Sequence, residues 1–140
     1  MKKLIETLKR HEGVMKYAYE DSEGYVTVGV GRCLDPDRGL GLSPDEIDYL
    51  LRNDIERCYQ ELSVFSWFDE LNQVRQEALV NMLFNLGLPT FLKFKKTLKH
   101  VAEHNWSMAA SEMLNSKWHR QVGARAEELA YMIETGAYLK

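Results

Sequence analysis

His11-Glu12-Gly13, then Tyr17-Ala18-Tyr19-Glu20-Asp21-Ser22-Glu23-Gly24-Tyr25, then Val26-Thr27-Val28-Gly29-Val30-Gly31 is the stretch that decides the fold. A helix is predicted to stop at Gly13, because glycine is the usual residue for a left-handed C-terminal cap. Asp21-Ser22-Glu23-Gly24 is a turn signal between two strand-like segments, so a small hairpin is expected. That places Glu12 at a helix end, Asp21 at the lip of a turn and Thr27 on the returning strand. On that strand Thr27 shares a face with Tyr25 and Gly29, while Val26, Val28 and Val30 point the other way.

Each of these residues also has a plain structural reading. A Glu before a helix-ending Gly is usually solvated, Asp is a common turn residue, and Thr is an ordinary strand former. Taken together they suit glycoside hydrolysis. That chemistry needs one protonated carboxyl to release the sugar oxygen and one ionised carboxyl to position water. A helix C-terminus carries partial negative charge, which disfavours an ionised carboxylate there, and a general acid must hold its proton.

Outward from this stretch, Leu4, Ile5 and Leu8 give the first helix, 3–12, one apolar face. Residues 32–41 carry Asp35-Pro36-Asp37 and Gly39-Leu40-Gly41 without any period, and are expected to be loop. Ser43-Pro44-Asp45-Glu46 opens a helix with Ser as N-cap, Pro at the first position and Glu closing a capping box. Ile47, Leu50, Leu51, Ile55, Cys58, Tyr59 and Leu62 then follow the helical period as expected core.

Phe65, Trp67 and Phe68 could stack on sugar rings, but at this density between helices they are expected in the core. Val74 to Leu86 reads as a buried helix ending at Gly87. Thr90 is expected to cap the next helix and Asn105 the one after, and the last should stop at Thr135-Gly136.

A chain of 140 residues suits a single domain. No apolar run approaches the ~20 residues of a membrane span, and the charged N-terminus does not read as a signal peptide. The protein is therefore expected to stay in the cytoplasm of a bacterial maker until something opens the membrane. Cys33 and Cys58 are expected to be reduced thiols. His100 and His104 share a helix face but lack a third ligand. No metal or organic cofactor is expected, no integral membrane association, and a monomer.

The net charge of −3 hides an asymmetry. Residues 1–70 hold nine Lys/Arg against fifteen Asp/Glu, and residues 71–140 hold nine against six. The basic side is densest at Lys93, Lys95, Lys96 and Lys99. It could face an anionic polymer or be a solvated helix face. No nucleic-acid reading motif accompanies it, so no nucleic-acid partner is expected.

Glu12, Asp21 after eight intervening residues, Thr27 after five more, and Gly29-x-Gly31 resemble the catalytic signature of the phage-type lysozymes, glycoside hydrolase family 24. Arg75 through Asn81, Phe84, Asn85 and Gly87 resemble the family's long central helix. Ser116-Lys117-Trp118 through Arg125-Ala126, and Thr135-Gly136, resemble its C-terminal helices.

The resemblance implies an α+β, mostly helical fold in two lobes. These would be a hairpin lobe at about 13–42, a connecting helix at about 44–62, and a helical lobe at about 63–140 that includes the N-terminal helix 3–12. It implies an enzyme that cleaves the β-1,4 bond between N-acetylmuramic acid and N-acetylglucosamine in bacterial peptidoglycan, lysing the cell. Glu12 would be the general acid, and Asp21 and Thr27 would hold the attacking water. Gly29, Gly31, Asn81, Phe84, Asn85 and Arg125 would contact substrate. For Asn81 and Asn85, capping of a neighbouring backbone is an equal alternative.

Three departures stand out. The segment between Gly31 and Ser43 is shorter than in the longest members, the overall charge is acidic where members are often basic, and Glu128 stands where a second Arg is usual.

Overall fold

The computed structural model describes residues 1–140, which form an α+β chain with eight α-helices and one three-stranded antiparallel sheet. It divides into two compact units, Met1–Leu50 and Leu51–Lys140.

The first unit opens with α1 (Lys2–Glu12). The Gly13 N–H closes the helix by donating to the Lys9 carbonyl at 2.9 Å. Gly13 is not the left-handed cap expected. Its φ of 80° and ψ of 166° lie in an extended region open essentially to glycine alone. The physical reason is speed of exit, because strand β1 (Met15–Glu20) begins two residues later.

β1 pairs with β2 (Val26–Gly29), placing Tyr19 opposite Thr27 and Glu20 opposite Val26, with an irregularity between Met15 and Tyr19. The 32–41 segment is not all loop. Arg32–Cys33 forms a short β3 on the free edge of β2, with Thr27 opposite Cys33. Two residues are too few to show a period, so pairing to an open edge was invisible in the sequence. Thr27 thus sits on the central strand of the sheet.

Helix α2 (Pro44–Leu62) begins with the predicted capping box. The Ser43 N–H donates to Glu46 Oε1 at 2.9 Å, and the Glu46 N–H donates to Ser43 Oγ at 3.3 Å. Only its C-terminal half joins the core. Cys58 and Leu62 are buried with Ile55 and Tyr59 packed beside them, whereas Ile47, Leu50 and Leu51 are exposed. The helical period marks a face, and it does not mark how far along the helix that face is covered.

The second unit continues through a 3-10 turn at Phe68–Glu70, then α3 (Gln73–Leu86), α4 (Leu88–Phe91), α5 (Lys95–Ala102), α6 (Trp106–Leu114), α7 (Lys117–Val122) and α8 (Ala124–Thr135). Its core is built from Leu62, Leu79, Met82, Leu83, Phe91, Val101, Met113, Leu129 and Ile133, all at most 2 % exposed. Each such burial is worth about 1.5–3 kcal/mol. Phe68 is core as expected and meets the edge of Tyr59 at 6.1 Å; Phe65 stacks on Trp67 at 4.9 Å.

Two expected caps fail. Thr90 lies inside α4, because the chain turns helical immediately after Gly87. Asn105 occupies the N-cap position of α6, but its amide donates to Glu103 Oε2 instead of accepting from the helix. His104, with φ 59°, lies beyond the end of α5 and shares no helix face with His100. The caps that form are Asn72 on α3 and Ser116 on α7. α8 stops at Thr135-Gly136 as predicted, with Gly136 in a left-handed cap.

Arg75 fastens this last end. Its Nε donates to the Ile133 carbonyl at 2.7 Å, its Nη2 to the Glu134 carbonyl at 3.2 Å, and its guanidinium lies 3.8 Å from the Trp106 ring centroid. Carbonyls at a helix C-terminus lack intrahelical donors, and a cation there satisfies them.

Candidate active site

Five of the nine predicted site residues lie in the first unit. Glu12 is the last residue of α1 and is exposed. Its carboxyl lies against the bare backbone of Gly31, where an added Cβ would come within 2.7 Å of Glu12 Oε2 and 3.0 Å of its Cδ. Gly29 and Gly31 both have φ of 69°. The Gly-x-Gly pattern therefore has a backbone cause at both positions, and at Gly31 a steric one as well.

Asp21 is half-buried, and one carboxylate oxygen is fully employed. Oδ1 accepts the N–H groups of Glu23 and Tyr25, each at 2.9 Å. The hairpin is closed by Asp21 N–H to the Tyr25 carbonyl and Gly24 N–H to the Asp21 carbonyl. These bonds hold the carboxylate in one orientation, and the second oxygen makes no hydrogen bond within the protein.

Thr27 is the one fully buried residue of this unit, at 4 % exposure, although Val26 and Val30 beside it are 41 % and 38 % exposed. A strand that hides its hydroxyl and shows its valines inverts the usual preference. Thr27 Oγ1 donates its proton to the Tyr25 carbonyl at 3.0 Å. Its lone pairs remain available to accept a hydrogen bond.

β3 is tied down next to this group. Arg32 Nη1 reaches both Glu46 carboxylate oxygens at 2.6 Å and the Gly41 carbonyl at 3.1 Å. The Arg32 hydrogen bond, with those from Ser43, lowers the Glu46 carboxyl to about 2. No group of three or more His, Cys, Asp or Glu is placed to hold a metal.

The other four predicted residues lie in the second unit, on α3 and α8. Arg125 grips Asn81 with a fork: Nε to Oδ1 at 3.0 Å, Nη2 to Oδ1 at 2.7 Å and Nη2 to the Asn81 carbonyl at 3.3 Å. Asn81, Phe84 and Arg125 line one open groove of about 690 Å³, together with Tyr59, Glu77 and Glu128. Phe84 is 44 % exposed.

Asn85 is not brought into that group. Its Oδ1 accepts the Trp118 indole N–H at 2.8 Å. Neither Asn caps a backbone, so the capping alternative fails for both. Sequence reasoning missed Tyr138, whose hydroxyl donates to Glu77 Oε2 at 2.6 Å on the wall of the groove. That hydrogen bond pushes the phenol up. No local signal near the C-terminus could have revealed a partner 61 residues away.

The comparison with known proteins matches the phage lysozyme family over residues 9–131. The chain belongs to the phage lysozyme family. It is 28% identical to the probable T4-type lysozyme 1 of Dictyostelium discoideum, with 92% of each chain covered. It is 30% identical to the endolysin of Salmonella phage P22, over 79% of this chain and 77% of that protein. It is also 26% identical to the peptidoglycan hydrolase gp36 of Pseudomonas phage phiKMV, where 86% of this chain covers 14% of a much longer protein. The α+β architecture, with helices dominating and one small sheet near the N-terminus, is the lysozyme-like fold that membership implies. No helix is long and apolar enough to cross a membrane.

Proposed function

We propose that this chain is a muramidase that hydrolyses the β-1,4 bond between N-acetylmuramic acid and N-acetylglucosamine in bacterial peptidoglycan, and thereby lyses cells. Family membership and the names of the endolysin and peptidoglycan hydrolase relatives support the substrate class. The single observation that carries the mechanism is the hydroxyl of Thr27, buried and already committed as a donor to the Tyr25 carbonyl.

A hydroxyl so committed can only accept from a water molecule. If that water also donates to the free oxygen of Asp21, both of its protons are held and its lone pair is left to attack. Asp21 takes up one proton as the new C–O bond forms. Glu12 delivers its own proton to the departing glycosidic oxygen, so no alkoxide has to leave. This is a single displacement with inversion, for which the two carboxyls should stand about 6.5–9.5 Å apart across the bound sugar. Gly29 and Gly31 would let the polysaccharide approach the backbone, and Asn81, Phe84 and Arg125 would bind its hydroxyl, N-acetyl or carboxylate groups.

The test is product chemistry. Purified peptidoglycan is digested, its new reducing ends are reduced with borohydride, and a short oligosaccharide digest is followed by proton NMR. Muramitol ends and a first-formed α anomer are expected. Glucosaminitol ends, or cleavage confined to the peptide stems, would overturn the assignment.

A further inference from the structure

The second unit carries a groove of about 470 Å³ that the glycosidase reading does not use. Its rim holds Lys93, Lys95, Lys96 and Lys117, opposed by one carboxylate, Glu112. Its floor is apolar, with Leu86, Phe94 and the buried Trp118.

Helix α5 starts at this groove. Phe94 at its N-cap has no side-chain acceptor to offer, so the first-turn amides of Lys95, Lys96 and Thr97 have no protein partner. Thr97 provides a second and independent sign. It lines the groove, is only 2 % exposed, and its hydroxyl makes no hydrogen bond within the protein. A hydroxyl so placed is free to bond an oxygen that enters the groove.

We propose that this groove is a phosphate-binding site, distinct from the glycosidase residues, and suited to the phosphate groups of a polyol-phosphate chain of the kind that accompanies bacterial walls. Uncapped helix amides and the helix dipole favour an anion at this end. Four ammonium groups and no arginine suit a compact oxyanion held by point charges, whereas a planar carboxylate is better matched by a guanidinium fork. Thr97 adds a hydroxyl donor. The apolar floor would take the carbon links between successive phosphates.

Isothermal titration calorimetry on the full chain at low salt tests this, with inorganic phosphate, poly(glycerol phosphate) and, as a control for charge alone, poly-glutamate. Saturable binding of phosphate is expected, at least tenfold weaker in Lys95→Gln/Lys96→Gln. Thr97→Val keeps every charge, and should weaken phosphate several-fold without lowering the melting temperature. Hydrolysis of an uncharged chitooligosaccharide should be unchanged in both variants. Tighter binding of the polymer would identify the wall-type chain as the ligand; binding of inorganic phosphate alone would support the site with a free anion as its ligand. No phosphate binding, full binding by the variants, or equal affinity for poly-glutamate would overturn the proposal. None of these results depends on turnover, so each is separable from the fate of the muramidase reading.

Discussion

Gly31→Ala is the perturbation that isolates the placement of Glu12. A Cβ there would stand 2.7 Å from Glu12 Oε2, where ordinary contact begins near 3.4 Å. The carboxyl must therefore shift by roughly 0.7 Å, and it is the far end of a flexible side chain, so the shift itself costs little stability. What it costs is geometry. A misplacement on the order of 1 Å in a catalytic group is worth about 100-fold in rate, so a fall of about 10–100-fold in lysis is expected.

Stability pays separately, through the φ of 69°. An L-residue in the left-handed region costs about 1–2 kcal/mol. Gly41→Ala provides the control, since its φ is 63° but its Cβ would meet nothing within 4 Å. The two variants should melt within a degree or two of each other by circular dichroism, while only Gly31→Ala loses lysis of permeabilised cells in a turbidity assay. Equal activity in the two would refute the claim that Glu12 acts from its place against Gly31.

Other consequences can be measured alongside. The Glu46 carboxyl sits at about 2 in the folded protein, below its ordinary value of 4.5, so its stabilisation is full above about 4.5 and is lost as pH falls toward 2. Glu46→Gln should flatten the melting curve against pH across that window, and an unchanged slope would contradict the Arg32–Glu46 link. Asn81→Ala removes both side-chain bonds of the Arg125 fork, leaving only the one to the backbone carbonyl, and should raise KM on wall substrate about tenfold, equivalent to about 1.4 kcal/mol, with kcat little changed. A loss confined to kcat would exclude a binding role for the fork. Both thiols are free, so reducing agent should leave the melting temperature unchanged. Cys33→Ser should be neutral, and Cys58→Ser, at a site only 2 % exposed, should cost about 1–3 kcal/mol.

Local signals were legible in the sequence, and long-range partners were not. Ser43 and Glu46 announce their capping box within four residues, and the structure builds it. Glu12, Asp21 and Thr27 could be singled out because their spacing matches the family's catalytic signature, whereas each alone reads as an ordinary helix-end, turn or strand residue. Thr90 and Asn105 show the limit of the same logic. A capping residue is effective only if the chain begins its helix there and its side chain is free, but α4 already starts at Leu88 and the Asn105 amide is drawn to Glu103. The short β3 depends on an open strand edge, which no periodicity encodes. The Arg125 fork on Asn81 bridges 44 positions and the Asn85–Trp118 bond bridges 33, so both emerge only once α3, α7 and α8 have packed. The inverted burial of Thr27 is the most informative of these findings, because β propensity alone made it an ordinary strand residue.

Glu12→Gln tests the central claim most directly. The amide keeps the shape of the side chain but has no acidic proton to give, and losing general acid help is worth about 10²–10⁴-fold. The measurement is the initial rate of lysis of permeabilised cells, taken beside a circular dichroism melt of the same preparation. The account predicts a fall of at least about 100-fold in a protein that melts at or slightly above the wild-type temperature. Wild-type lysis by a folded Glu12→Gln variant would contradict it.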